Sequence, residues 1–494
     1  MTAATAHRLR RLSREDGFAL VAALGVSVVL GIVGATAVAY ATTNAGTATR
    51  SRADQTAFAL AEAGVNNAMS VLSNPSVNAL DPRALCPDAS TPLPCSTTSS
   101  YEGGTVTWTG TLNRSLGVWH LSATGYMRNP TGPKVALVRR TTTADVPVLM
   151  SHTQPLNNMA WNYIYTTKVG DPDGCDESLD NVVNMGSPLY VNGNLCLNTP
   201  SNITGGPTVV KGKINLDVNT NIGTSANPIN EAHVAGGCQF KNQALHSPCS
   251  SADQVYARTI DTTIPPVTTP VADFAYYYAN ASPGPSIACD PSKSYGPVPV
   301  LDNDTVRNNS VPGVFNLTPT TSYDCWTANG ELKWDAAGQL LTVSGVMYID
   351  GSAKIDNGAV NSYNGQATLY LSGTFFVSNS KLCAGVNADK SDCDFSAWNP
   401  NTEMLVVVSD GNGGQVPVGD SIQIKSSRYQ GGLYATNKIE LDTTAQTEGP
   451  MIGSEVIIGQ SVRTYTFPYI TTVPPGVPGN PNVYAQPSPP QNWG

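Results

Sequence analysis

The longest apolar segment of the chain lies near its N-terminus. Residues 18–49 carry no charged side chain, and residues 18–41 are almost entirely apolar or small. About 20 such residues in a helix span the hydrocarbon core of a bilayer, so the segment predicts a membrane-crossing helix. Four arginines precede it, which places the N-terminus in the cytoplasm and the rest of the chain outside.

The helical pattern continues past this segment. Small and apolar residues recur at the spacing of one helix face: Ala57, Ala61, Val65, Ala68 and Leu72. Asn74 and Pro75 follow, and proline disfavours helix at its own and the preceding position. One helix is therefore expected to run from the membrane into an external domain and to end near Leu72.

Residues 73–150 show a different periodicity. After a loop rich in Pro, Ser and Cys, alternating Val, Trp and Thr residues fill three runs, 104–112, 117–125 and 135–148. Alternation with period two is typical of half-buried strands. We expect a small antiparallel sheet that packs on the helix.

Beyond residue 150 a short unit recurs, made of a strand, a polar corner and a second strand. Its copies are Leu189–Leu197, Met347–Ile355, Phe375–Leu382, Leu433–Leu441 and, more faintly, Pro450–Ile458. Self-similar strands of this kind predict stacked coils, a parallel β-solenoid resembling a right-handed β-helix. Because the spacing varies, a β-sandwich with similar hairpins remains the alternative fold.

The predicted fold class is therefore mainly β, with a long N-terminal helix. The expected organisation is a leader (1–17), an apolar helix (18–72), a small α+β region (73–150), a solenoid (151–467) with an insertion at about 251–340 that covers it, and a Pro-rich tail (468–494) that is extended or disordered.

Composition excludes some function classes. Only 13% of residues are charged, against about 25% in a typical soluble protein. Lys and Arg number 27 against 36 Asp and Glu. A chain without a basic surface is not expected to bind nucleic acid.

Ten cysteines indicate an oxidising compartment. No pair forms a CxxC, so a metal site of cysteines has little support. Neighbours in sequence give five local pairs, although the sequence does not fix the connectivity, and free buried thiols are the alternative. The disulfide candidates are Cys86, Cys95, Cys175, Cys196, Cys238, Cys249, Cys289, Cys325, Cys383 and Cys393.

At the start of the apolar segment, a charged leader ends in Asp16-Gly17 and is followed by Phe18 and the apolar helix. This arrangement resembles the type III signal of type IV pilins. The resemblance implies that prepilin peptidase cuts between Gly17 and Phe18. Further along, Ala61-Glu62-Ala63-Gly64 resembles the matching helix of PilX-like minor pilins. The resemblance covers residues 14 to about 72.

The same resemblance suggests which residues mediate assembly. Major pilins carry Glu at the fifth mature position, whereas this chain has Ala22, as in minor pilins at a filament tip. With Ala22, the helix residues Ala61, Glu62, Ala63 and Gly64 are the candidates for contacts between subunits. Glu62 is equally explained as an exposed helical charge.

Two other interpretations of the N-terminus stay open. A secretory signal peptide would be cut at an Ala-x-Ala site, and both 35–37 and 39–41 fit that pattern. An uncleaved single-pass anchor would keep the whole leader.

Catalytic and metal-binding motifs are scarce. The chain lacks HExxH, GxSxG and a P-loop, and its five histidines are scattered. An acidic loop offers weak Ca²⁺ ligands in Asp171, Asp173 and Asp176, with an ordinary polar turn as the alternative. No cofactor is expected.

The sequence thus predicts a structural protein and not an enzyme: a minor, tip-located subunit of a type IV pilus or related pseudopilus on the cell surface. Its expected partners are other pilin subunits, prepilin peptidase, the inner membrane before assembly and, if the ectodomain serves adhesion, a surface or carbohydrate ligand. The alternative function is a secreted or anchored carbohydrate-active β-helix enzyme.

Overall fold

The computed structural model describes most of the chain. The described residues are 5–74, 77, 79, 82–88, 91–101, 103–113, 117–129, 137–149, 153–171, 174–180, 182–241, 243–281, 314–317, 322–327, 330–349, 352–411, 420–481 and 486–493. For 5–17, 149, 279–281, 314–316, 323–327 and 486 the description covers the backbone only.

A long helix and an antiparallel sheet form the N-terminal part. Helix α1 runs without a break over Thr5–Leu72. The strands pair in sequence order as β1 (Ser96–Tyr101), β2 (Gly104–Asn113), β3 (Val118–Arg128) and β4 (Leu137–Leu149). Their alternating apolar residues bury one sheet face against α1, and the predicted helix stripe from Ala57 to Leu72 is fully buried there.

Short strands follow, and a 3-10 helix (Met159–Asn162) precedes most of them. This first series comprises β5 (Gln154–Pro155), β6 (Ile164–Thr166), β7 (Glu177–Leu179), β8 (Asn184–Met185), β9 (Leu189–Val191), β10 (Leu195–Leu197), β11 (Asn202–Ile203), β12 (Thr208–Val210), β13 (Ile214–Leu216), β14 (Asn221–Ile222), β15 (Ile229–Val234), β16 (Cys238–Phe240) and, after a second 3-10 helix (Ser251–Asp253), β17 (Ala257–Asp261).

A connection containing helix α2 (Phe274–Ala281) leads to a second series. It comprises β18 (Val314–Asn316), β19 (Tyr323–Thr327), β20 (Gly330–Asp335), β21 (Leu340–Ile349), β22 (Ser352–Ile355), β23 (Val360–Leu371), β24 (Phe375–Ser378), β25 (Lys381–Cys383), β26 (Met404–Ser409), β27 (Asp420–Lys425), β28 (Arg428–Gln430), β29 (Gly432–Ala435), β30 (Lys438–Asp442), β31 (Gln446–Glu448), β32 (Met451–Gly453), β33 (Glu455–Ile458) and β34 (Arg463–Tyr465). The tail adds β35 (Thr472–Val473) and β36 (Gln486–Pro487).

The two series stack as a three-sided parallel solenoid. Face A contains β6, β9, β12, β15, β17, β21, β23, β26, β29 and β32; face B contains β7, β10, β13, β16, β18, β22, β24, β27, β30 and β33; face C contains β8, β11, β14, β25, β28, β31 and β34. Strand β23 bends across a corner, since its start pairs on face C and its end on face A. Parallel pairing on all three faces confirms the solenoid and excludes the antiparallel sandwich.

The coils do not stack in chain order. The first coil, β6–β8, lies between its successor β9–β11 and the last coil, β32–β34. The chain therefore enters the solenoid in the middle, builds one end outward, crosses to the other end and builds back. We call the junction between the last and first coils the seam.

The crossing connection contacts face A, whereas β17 and β18, which lie within the range predicted as an insertion, join the solenoid itself. Outward tyrosines of this face contact the connection or the tail through their hydroxyls. Tyr190 and Tyr434 donate to the carbonyls of Pro265 and Pro270, and Tyr370 donates to Gly476. These bonds satisfy the hydroxyls where the rings are buried.

Inside the solenoid, corner units place apolar residues inward. Leu195 and Leu197 of β10 lie in the core, and Cys196 between them points outward, as the alternation predicted. Four of the five sequence copies mark the corner between faces A and B. The copy Phe375–Leu382 instead marks the corner between faces B and C; the matching segment at the A–B corner is 369–377.

The tail is ordered by packing. Ile470, Val473 and Val477 are buried, and β35 pairs with β5. Strand β36 then pairs with β4 and becomes the fifth strand of the N-terminal sheet. The described part of this segment consists of short paired strands and turns, and its apolar residues cover a surface of the folded chain.

The seam contains a buried carboxyl group. Glu177 occupies an inward position on face B, where its neighbours along the row are Val456 and Leu195. Its carboxylate accepts a hydrogen bond from the Val456 N–H at 3.2 Å. Burial raises the pKa of Glu177 well above its ordinary value.

We expect Glu177→Gln to remove part of the pH dependence of stability. A raised pKa means that the folded state holds the proton more tightly than the unfolded state does. The contribution of Glu177 to the free energy of unfolding is therefore full below the ordinary carboxyl pKa and is lost as pH rises. Both proteins are unfolded with denaturant at pH 5 and pH 8. The free energy of unfolding of the variant, relative to that of the wild type, should be higher at pH 8 than at pH 5. A difference that is the same at both pH values would contradict this prediction.

Candidate assembly interface

The first half of α1 has no cover within the described chain. Phe18, Leu24 and Tyr40 are 79%, 62% and 72% exposed, and the apolar residues between them are exposed on every side of the helix. Among the described residues, α1 is the one helix long and apolar enough to cross a membrane. A helix that is apolar all round requires lipid or other helices around it.

The second half of α1 packs tightly on the sheet through small residues. A Cβ added to Gly64 would lie 2.6 Å from Val106 and 2.8 Å from Ala123. On the sheet side, a Cβ added to Gly125 would lie only 2.0 Å from the carbonyl oxygen of Ala57. Helix and sheet backbones therefore approach as closely as they do because both contact positions lack a side chain.

The predicted assembly residues fall into two groups. Ala61 and Gly64 face the chain's own sheet, so they fix the helix to its domain. Glu62 is exposed and Ala63 is half-buried, and Ala22 is exposed in the uncovered half. The contacts available to another subunit are thus those of Ala22, Glu62 and, in part, Ala63.

The predicted processing site lies within the helix. Gly17 and Phe18 are both part of α1, which begins at Thr5. Residues 1–4 of the predicted leader lie outside the described residues, and so do the side chains of 5–17.

An ion pair that sequence reasoning missed clamps α1 to the sheet. Arg140 of β4 donates to Asp54 of the helix through Nε at 2.7 Å and Nη2 at 2.6 Å. The hydrogen bond from Arg140 lowers the pKa of Asp54, and the partner carboxylate raises the pKa of Arg140. No sequence signal pairs two residues 86 positions apart, because strand register decides which side chain reaches the helix.

Disulfides staple the loops outside the apolar helix. The structure contains Cys86–Cys95, Cys175–Cys196, Cys238–Cys249 and Cys383–Cys393, each between sequence neighbours. Cys289 and the side chain of Cys325 lie outside the described residues. The apolar N-terminal helix and the disulfides together indicate an extracytoplasmic protein, membrane-anchored or secreted.

The acidic loop uses its carboxylates within the protein. Asp176 is buried, and its two oxygens accept the backbone N–H groups of Asp171 and Asn194, both at 2.7 Å. Asp171 forms an ion pair with Lys168 at 2.7 Å. Asp173 lies outside the described residues. The described part of the loop matches the polar-turn alternative, and no cluster of metal-binding side chains occurs among the described residues.

An enzyme on this fold would need a pair of carboxylates, and the strands of face B carry acidic side chains. Glu440 accepts a hydrogen bond from Gln423. Apart from the inward Glu177, the other acidic side chains described on this face form ion pairs: Asp420–Lys438, Lys425–Asp442 and Lys168–Glu455. A pair of carboxylates for glycoside hydrolysis would have to leave these partners.

Comparison with protein-family models, curated proteins and solved structures found no match to this chain. The functional conclusion therefore depends on the residues and the geometry described above.

Proposed function

We propose that this chain is a structural subunit of a type IV pilus or related pseudopilus, assembled through α1. The observation that carries the proposal is the division of this helix at the edge of the folded domain. Its first half is apolar and uncovered, and its second half packs on an antiparallel sheet. An apolar helix in this state suits storage in the membrane and later packing among other helices.

Two further features support a minor position in the filament. The solenoid is much larger than the sheet that carries it, and a bulky domain on every subunit would obstruct a thin, uniform filament. Ala22 leaves the uncovered helix without a carboxylate, which in lipid would be costly. Both features support a location at the tip, where we propose that the ectodomain is directed outward and serves adhesion.

The proposal requires an orientation and a set of partners. The N-terminal arginines keep the start of α1 cytoplasmic, so the solenoid lies outside. Prepilin peptidase removes residues 1–17, and other pilin subunits then cover the exposed half of the helix in place of lipid.

Mass spectrometry of the mature N-terminus tests this function. We expect protein isolated from native membranes or filaments to begin at Phe18, with an N-methylated residue. Gly17→Val should leave the leader in place, because the substitution removes the glycine before the cut. Gly25→Val is the matched control: its position is open, with no atom within 4 Å of an added Cβ, and processing should be normal.

Other termini would support the competing functions. A start near Thr42 would show that signal peptidase releases the ectodomain, and the carbohydrate-active alternative would then be tested with polysaccharide-cleavage assays. An intact N-terminus in the native protein would indicate a plain membrane anchor. Either result would overturn the pilin-like proposal.

A further inference from the structure

A disulfide-closed loop folds over one part of face C. This cap loop, residues 384–398, begins directly after β25, and the disulfide Cys383–Cys393 closes its first part. Asp392 of the loop forms ion pairs with Lys381, at 3.2 Å, and with Arg428. The base of the cap loop is thereby anchored to face C.

The cap loop buries side chains that the solenoid directs outward. Gln430, Glu448 and Tyr465 are neighbours in register along face C, and each alternates with an inward residue. Gln430 is 0% exposed and Glu448 2% exposed. Phe395 of the cap loop stacks on the Tyr465 ring with the centroids 4.0 Å apart. Without the cap loop this polar and aromatic row would face water.

A single amide joins the cap loop to the buried carboxyl group. Gln430 Nε2 donates to Glu448 Oε2 and to the carbonyl oxygen of Asp394, each at 2.9 Å. Gln430 Oε1 accepts the backbone N–H of Gly385, also at 2.9 Å. The closed position of the cap loop and the environment of Glu448 therefore depend on each other.

Burial in this position raises the pKa of Glu448 to about 8. The Asp394 carboxylate acts in the same direction, and the hydrogen bond from Gln430 opposes it. The other charged groups on the packed elements lie in two places. Asp392, Arg428 and Lys381 lie at the base of the cap loop, and the exposed Asp389 and Lys390 lie within it. Arg463 lies over the Tyr465 ring, and burial raises the pKa of Glu403.

We propose that the cap loop is a pH-sensitive lid, whose closed form is favoured while Glu448 keeps its proton and whose open form is favoured by ionisation of the carboxyl group. Opening lets the carboxylate reach water and exposes Gln430 and Tyr465 beside it. The device is independent of how α1 is processed, and so it stands apart from the proposed pilin-like function.

The direction of the effect follows from proton linkage. The closed lid holds the Glu448 proton more tightly than the open lid, in which the carboxyl group has an ordinary pKa of about 4.3. Rising pH therefore favours opening, by up to about tenfold per pH unit in this window. The increase should level off above pH 8, where Glu448 is ionised in both forms.

Hydrogen exchange of the full chain in detergent tests the lid. Protection factors for peptides covering 384–398, corrected for intrinsic exchange, are measured from pH 5 to pH 9. In the wild type we expect protection of these peptides to fall with pH and to level off near pH 8. Peptides covering β29 and β30 should keep constant protection and so report an intact solenoid.

Two variants separate ionisation from other causes. Glu448→Gln keeps an acceptor for Gln430 but cannot ionise, so protection of the cap loop should not change with pH. Glu440→Gln, an outward carboxyl on face B, is the matched control and should behave as the wild type does. Constant protection in the wild type, or an unchanged slope in Glu448→Gln, would overturn the proposal. Should that variant fail to fold, Glu448→Leu replaces it under the same criterion.

Discussion

Gly125→Ala is expected to destabilise the helix–sheet unit by about 1–3 kcal/mol, the usual cost of overpacking a tight contact. The new Cβ would lie 2.0 Å from the Ala57 carbonyl oxygen and 2.8 Å from the Ala61 nitrogen. Both atoms belong to the helix backbone, which cannot rotate away as a side chain can. The helix must therefore move off the sheet, and Gly125→Val should move it further.

Denaturant unfolding of the full chain in detergent, followed by tryptophan fluorescence, to which Trp108 and Trp119 of the sheet contribute, measures this effect. Ser122→Ala, three residues earlier on the same strand, is the control and should stay within about 0.5 kcal/mol of the wild type. Wild-type stability in Gly125→Ala would mean that the helix does not lie against this strand, and the described helix–sheet contact would be wrong.

Trp161→Ala is expected to cost about 3–5 kcal/mol, the range for a fully buried large aromatic residue. Trp161 lies in the 3-10 helix at the entrance to the first coil and is 0% exposed. Its Nε1 donates to the carbonyl oxygen of Pro478 in the tail at 2.9 Å. A Cβ added to Gly432 of β29 would lie 3.0 Å from the indole ring. One side chain thus joins the entrance, the tail and a coil of the second series.

Thermal unfolding measures the loss of stability in Trp161→Ala, and hydrogen exchange of peptides covering 470–478 measures the loss of protection in the tail. The tail peptides should lose protection together with the solenoid entrance. Trp161→Phe retains most of the volume but not the N–H donor, and it should cost less than the alanine variant. Trp493→Ala is the control, since that side chain is half exposed. If the tail keeps its protection in Trp161→Ala, then Trp161 does not hold the tail in place.

Several elements were predictable because their signals are local. The apolar segment and the stripe ending at Leu72 follow from helical spacing, which holds whatever the helix packs on. The alternation around Cys196 predicted that Leu195 and Leu197 point into the core and that the cysteine side chain points outward. Cysteines close in sequence were paired because short loops bring their ends together at little entropic cost.

Other features could not be predicted from the sequence, because they depend on which distant residues lie close together in the folded chain. The clamp between Asp54 and Arg140 depends on strand register. The burial of Glu448 depends on a loop that closes 50 residues earlier in the chain. The sequence pattern of 375–382 is similar to that of the A–B corners, although this segment forms a B–C corner. The patterns are similar because each corner is a polar turn between two short apolar strands.

Local sequence patterns were sufficient to predict a mainly β chain with one long helix, stacked strand-corner-strand units and disulfide-stapled loops. Long-range packing was needed to show that the chain enters the solenoid in the middle, that its last coil pairs with its first, and that the tail completes the N-terminal sheet. The reason is physical: the coils present nearly equivalent apolar inward rows, so local patterns specify a coil without specifying its neighbour. The order of stacking depends on long-range contacts such as those of Glu177 at the seam and those of Trp161 with the tail and β29.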